Sequence, residues 1–139
     1  MRRLLTSLFL CLALVAASPG PAAAQSGTDS IEGTIRAQID AFIADDFTRA
    51  FTYASPMIQG IFGTPENFGA MVSQGYPMVH HPSAVRMLEQ REVAGNIWQR
   101  IMVTDQAGAT HMLDYQMIRT DGGWQINGVQ LLPSVGVGA

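Results

Sequence analysis

Two periodicities divide this chain. From Ile31 onward, apolar residues recur at steps of three and four (Ile31, Ile35, Ile39, Phe42, Ile43, Phe47, Ala50, Phe51, Ala54). That spacing lines one face of a helix with core-facing side chains. Asp29-Ser30-Ile31-Glu32 has the form of a capping box and predicts the helix start. Asp45-Asp46 interrupts the stripe and predicts a break. Ser55-Pro56 and Thr64-Pro65 each put a capping hydroxyl before a proline, the preferred opening of a helix. Short helices are therefore predicted near Pro56–Ile61 and Pro65–Gln74, the second stopped by Gly75, with Tyr76–Ser83 as an extended connector because of Pro77 and Pro82.

Beyond the connector the pattern changes to strands. Ala84–Val93, Ile97–Val103, Ala109–Thr120 and Trp124–Leu132 read as successive strands. Gly95-Asn96, Asp105-Gln106-Ala107-Gly108 and Asp121-Gly122-Gly123 supply the turns. Helices followed by an antiparallel meander predict one compact α+β domain. The alternation is imperfect. Trp98, Arg100 and Met102 oppose Ile97, Ile101 and Val103, while Met112, Asp114, Gln116 and Ile118 oppose Leu113, Tyr115 and Met117. A sheet with one wetted face alternates more strictly. Cover on both faces is expected, by helices on one and by a second copy on the other, so a homodimer is expected.

The N-terminus reads as an address. Met1-Arg2-Arg3, the apolar Leu4–Ala17, the breaker Pro19-Gly20-Pro21 and the small Ala22-Ala23-Ala24 lay out a secretory signal peptide over residues 1–24. Its apolar run is shorter than the roughly 18 to 20 residues that span a bilayer. Export to the periplasm or medium is expected, with no stable membrane insertion after cleavage. A mobile leader over residues 25–30, a domain over 31–133 and a tail over 134–139 complete the expected organisation. The 115 residues left after residue 24 suffice for one core and not for two.

Composition then excludes chemistry. The single cysteine, Cys11, lies in the signal region, so the exported chain has no thiol for a disulfide, a nucleophile or a thiolate metal site. There is no lysine, which removes Schiff-base chemistry. After residue 24, six arginines face eleven acids, a formal charge of −5. Such a surface is a poor match for nucleic acid or anionic lipid, and no nucleic-acid partner is expected.

An ordered set of short stretches carries a resemblance: Ile39-Asp40-Ala41-Phe42 with Asp45-Asp46 and Ala50-Phe51, then Ala54-Ser55-Pro56. Phe62-Gly63-Thr64-Pro65-Glu66-Asn67-Phe68, Gly75-Tyr76-Pro77-Met78-Val79 and the closing Gly123-Trp124-Gln125-Ile126-Asn127-Gly128-Val129 follow. From about Ile31 to Leu132 the chain resembles the nuclear transport factor 2-like (NTF2-like, SnoaL-like) superfamily. Within it, the chain is most similar to an uncharacterised bacterial family, domain of unknown function 4864. The resemblance implies a cone, with N-terminal helices packed on a curved antiparallel sheet, and no established activity. Val129 stands where that family often has a cysteine, which removes a redox role.

The superfamily includes isomerase-like and dehydratase-like enzymes that use an Asp base, a Tyr or acid donor, or a His–Asp pair in an apolar cone. Such chemistry needs a carboxylate shielded from water beside a donor. Asp40, Asp114, Tyr53, Tyr115 and His111 are the candidates, although Asp40 fits an ion pair with Arg36 and Asp114 a cross-strand pair with Arg100. Pocket candidates are Tyr53, Trp98, Arg100, Asp114, Tyr115 and Gln116. His80-His81 with His111 raises a metal site, but adjacent residues of an extended segment point opposite ways, so no metal is expected, and no cofactor. The methionines Met57, Met71, Met78, Met87, Met102, Met112 and Met117 lie singly among apolar positions and read as core filling rather than a copper site. The favoured reading is an exported, non-catalytic domain that binds a small apolar ligand or a protein partner. The alternatives are a small cofactor-free isomerase, dehydratase or hydrolase, and a purely structural dimeric domain.

Overall fold

The computed structural model of the chain describes residues 30–133; the expected signal peptide, nearly all of the leader and the C-terminal tail lie outside the described residues. Five helices precede four strands: α1 Ile31–Ile43, α2 Phe47–Thr52, α3 Pro56–Phe62, α4 Pro65–Gly75, α5 Pro77–His80, β1 Ala84–Val93, β2 Asn96–Thr104, β3 Thr110–Thr120 and β4 Gly123–Leu131.

The capping signals hold at atomic level. Ser30, Asp46, Ser55 and Thr64 each accept from a backbone N–H three residues on, opening α1, α2, α3 and α4. The apolar stripe of α1 is buried at Ile31, Ile35, Ile39 and Phe42, while Ile43 at its end is exposed. The Asp45-Asp46 break is sharp: Asp45 adopts a left-handed φ of 56° and Asp46 restarts the helix. Tyr76–Ser83 is not extended as expected. Pro77 occupies the first turn of α5, and His80 and His81 donate their N–H groups to Tyr76 and Pro77 carbonyls. Proline fits a first helical turn as readily as an extended link, and burial of Met78 and Val79 decides for the helix.

The strands pair antiparallel in the order β1-β2-β3-β4. The first turn is Ala94-Gly95 rather than Gly95-Asn96, with φ of 51° and 80°. A two-residue hairpin needs positive φ at both central positions, and Asn96 is paired with Val93 in the ladder. Two bulges bend the sheet: Leu88 and Glu89 oppose Arg100, and Asn127 is the extra residue between Ile126 and Gly128. Buried Gln99 donates to the carbonyls of Leu88 and Arg100, so the first bulge carries its own polar support.

All five helices lie over the sheet face that carries Ile101, Val103, Leu113, Tyr115, Met117 and Ile126, and these residues form one core with α1 and α4. Thr34 of α1 donates to the Trp124 carbonyl, and a short parallel bridge joins Ala54 to Ile126. The opposite face carries Trp98, Arg100, Met102, Met112, Asp114, Gln116 and Ile118 with no described helix over it. The molecule is an α+β domain with its helices on one face of a curved antiparallel sheet.

Candidate functional site

An apolar cavity of about 280 Å³ lies between the helices and the concave face of the sheet. Phe42 of α1, Ile58 and Phe62 of α3, Phe68 and Met71 of α4, and Ile126 and Val129 of β4 form most of its wall. Phe68 is the hub of the aromatic packing, with ring centroids 5.8 Å from Phe42, 5.3 Å from Phe51 and 5.7 Å from Phe62. The periodicity of α1 and α4 explains this wall, since residues three and four apart face the sheet together. α3 is its thinnest part. None of its residues is fully buried, Ile58 and Phe62 face the cavity, and Met57 and Ile61 are 54% and 65% exposed on the other side.

Three polar side chains, Gln38, Tyr76 and Tyr115, interrupt the apolar wall. Gln38 donates its amide to the Ala50 carbonyl at 3.1 Å, and Tyr115 presents a phenol. Tyr115 is 1% exposed, yet its hydroxyl makes no hydrogen bond among the described residues. No fully buried polar side-chain atom among those residues lacks a partner, so the Tyr115 oxygen is not sealed in protein and opens on the cavity it lines. Burial, with the Tyr76 phenol nearby, pushes its pKa above the ordinary tyrosine value. At neutral pH the group is a protonated donor in an apolar enclosure.

The other residues expected in a pocket lie elsewhere. Tyr53 ends α2 and pairs with Arg49 at the surface. Trp98 faces the helix-free side of the sheet, and so does Gln116, which accepts from Asn127 at 3.2 Å. Arg100 and Asp114 are directly opposed across β2 and β3 on that side. Asp114 is 2% exposed and fully engaged. Arg100 grips it at 3.0 and 3.1 Å, and Arg91 adds a contact of 2.6 Å. The Arg100 hydrogen bonds, then those of Arg91, hold its pKa down to about 2 against the opposing effect of burial. A carboxylate so held has neither the proton of a general acid nor the proton affinity of a general base near neutrality. β-strand alternation separates it from the cavity, because neighbouring Tyr115 takes the inner face.

Asp40 is exposed and does not pair with Arg36, as solvated side chains on a helix often do not. His111 lines a surface pocket together with His81, but its ring nitrogen contacts Asp105 at 2.8 Å, and Asp105 also accepts from the Ala107 and Ala109 N–H groups. Those contacts, His111 foremost, hold the Asp105 pKa below the usual range. The His80 and His81 side chains do not point opposite ways. His80 ends α5 and His81 caps it, and the two rings lie side by side with centroids 3.8 Å apart.

A helical layer closing an apolar cavity against one face of a meander defines the class: a small α+β domain with an apolar cavity between its layers. The chain belongs to the family described as "Domain of unknown function (DUF4864)", which it matches over residues 24–139. Its structure is similar to the solution structure of a SEC-C motif containing protein from Rhodopseudomonas palustris. The TM-score is 0.57 at 15% sequence identity, covering 80% of this chain and 85% of that one, a likeness of fold alone. No curated protein matches the chain.

Proposed function

We propose that the protein is an exported, non-catalytic binding domain whose cavity takes one small apolar molecule bearing a single hydrogen-bonding group. One observation carries this reading: a buried phenol without a protein partner, facing an otherwise apolar cavity of about 280 Å³. A hydroxyl that opens on the cavity is free to donate to a ligand acceptor, a bond worth about 0.5–1.5 kcal/mol net. The volume sits near the lower end of the roughly 300–1,000 Å³ typical of ligand pockets, which favours a compact occupant. Arginine capture of Asp114 counts against the enzymatic alternative, since the carboxylate that it required is occupied. The order of helices and the bent meander support placing the fold with the NTF2-like superfamily. Half-buried Trp98, Met102, Met112 and Ile118 on the helix-free face support a homodimer through that face.

The test of the binding reading is a thermal-shift panel of short fatty acids, small terpenoids and aromatic acids and ketones. Stabilisation by at least one acceptor-bearing apolar compound is expected. Tyr115→Phe should weaken that compound about tenfold, the size of one lost hydrogen bond. The unliganded variant should be as stable as the parent, because the hydroxyl holds nothing in place. A panel without any stabiliser, or an unaltered response in Tyr115→Phe, contradicts the proposal.

A further inference from the structure

Away from the cavity, the break between α1 and α2 meets the end of α5 and gathers three metal-ligating side chains. Asp45 Oδ1 lies 2.6 Å from His80 Nε2 and 4.0 Å from His81 Nε2, and one ligand atom from each residue falls within 4.8 Å of the others. We propose that Asp45, His80 and His81 form a site for a divalent transition-metal ion of the zinc type, open to solvent.

The backbone builds the arrangement. Asp45 takes its left-handed turn with its N–H on the Phe42 carbonyl, and the next residue donates to Ala41, so the carboxylate is presented at a fixed corner. His80 is the last residue of α5, its ring packed on Phe47 at 5.4 Å between centroids. His81 follows as the cap, its N–H on Pro77 and its carbonyl accepting from Gln106 at 3.1 Å. A helix end followed by a cap carries both imidazoles to the same side, which an extended segment would not.

The chemistry of the donors selects the ion. Two imidazole nitrogens and one carboxylate oxygen suit zinc and its neighbours, and do not suit calcium or magnesium, which prefer all-oxygen shells. With bonds of about 2.0–2.1 Å, tetrahedral ligand atoms stand roughly 3.3 Å apart. The two contacts to Asp45, 2.6 and 4.0 Å, fall on either side of that spacing, so small side-chain rotations complete the shell. Without a cation, one carboxylate oxygen serves two stacked imidazoles and reaches only His80 at hydrogen-bond distance. Side-chain exposures of 62% for Asp45 and 51% for His81 leave the fourth position to water. A bound ion would tie the α1–α2 corner to the end of α5.

Isothermal titration calorimetry with zinc chloride, on exported protein purified without a histidine tag, tests the site. One ion per chain is expected, with no heat from magnesium chloride. His81→Ala, at an exposed position, and Asp45→Asn, which keeps the left-handed turn accessible, should each weaken zinc by about tenfold or more. His111→Ala should leave the affinity unchanged. Absence of stoichiometric zinc binding, equal response to magnesium, or loss in His111→Ala instead of His81→Ala overturns the proposal.

Discussion

Neighbours on one strand, Asp114 and Tyr115, show how environment assigns roles. Both are buried, but Asp114 meets two guanidiniums and Tyr115 meets open apolar space. The cross-strand pairing of Asp114 with Arg100 was legible from strand alternation alone. Arg91 was not, because the Leu88-Glu89 bulge shifts the phase of β1 and turns Arg91 onto the outer face. The network has a pH signature. Asp114 titrates near 2 when folded, below the unfolded value of about 3.9. Its stabilisation is complete above the unfolded pKa and is lost as pH falls through the folded one. Acid titration of chemical stability should therefore show a loss of about 2 kcal/mol between roughly pH 4 and 2. Asp114→Asn should remove that loss and destabilise the protein at pH 7 by about 2 kcal/mol, the two half-exposed arginines being left without their anion. An acid limb of unchanged size in the variant would contradict this role for Asp114.

At the scale of elements, caps and turns were the readable features, because each depends on residues a few positions apart. Helix and strand ends predicted from Ser55-Pro56, Thr64-Pro65, Asp45-Asp46 and Asp121-Gly122 fall within a residue of those observed. α5 was hidden by Pro77, since proline in a first turn and proline in a link look alike locally. The approach of α2 to α4 was hidden for a different reason: it depends on Gly69 meeting Phe47, far apart in sequence. A methyl group at Gly69 would stand 2.5 Å from Phe47 Cγ, the root of a ring that packs on Phe42 and His80. Gly69→Ala should therefore cost about 1–3 kcal/mol through overpacking, despite the better helix propensity of alanine. Urea denaturation measures it, and an unchanged or raised midpoint would show that the two helices have room to part. α3 has no such constraint. It buries no residue fully and closes one side of the cavity with Ile58 and Phe62, so it is the wall that opens at least cost.

For the whole molecule, the α+β order and the placement of the helices followed from periodicity, whereas the cavity did not. Its wall draws on four helices and two strands; Phe42, whose spacing marked core, stands in it beside Gln38, Phe68 and Tyr76, which periodicity did not single out. Of the residues singled out for a pocket, Tyr115 alone lines it; it was named as a possible donor by analogy with the superfamily's enzymes, not by its spacing. The Tyr115 phenol carries the proposed function: on that proposal, a small apolar molecule completes the hydrogen bond that the described residues leave unmade. Native mass spectrometry of the protein purified after export from its own host tests this most directly, and the same spectrum reads the dimer. The expected result is a dimeric particle that carries one small apolar molecule per chain, released at raised collision energy and absent when Ile58→Trp fills the cavity. A spectrum of bare chain mass, indifferent to Ile58→Trp and unaltered by adding the compounds that stabilise the protein, would contradict it.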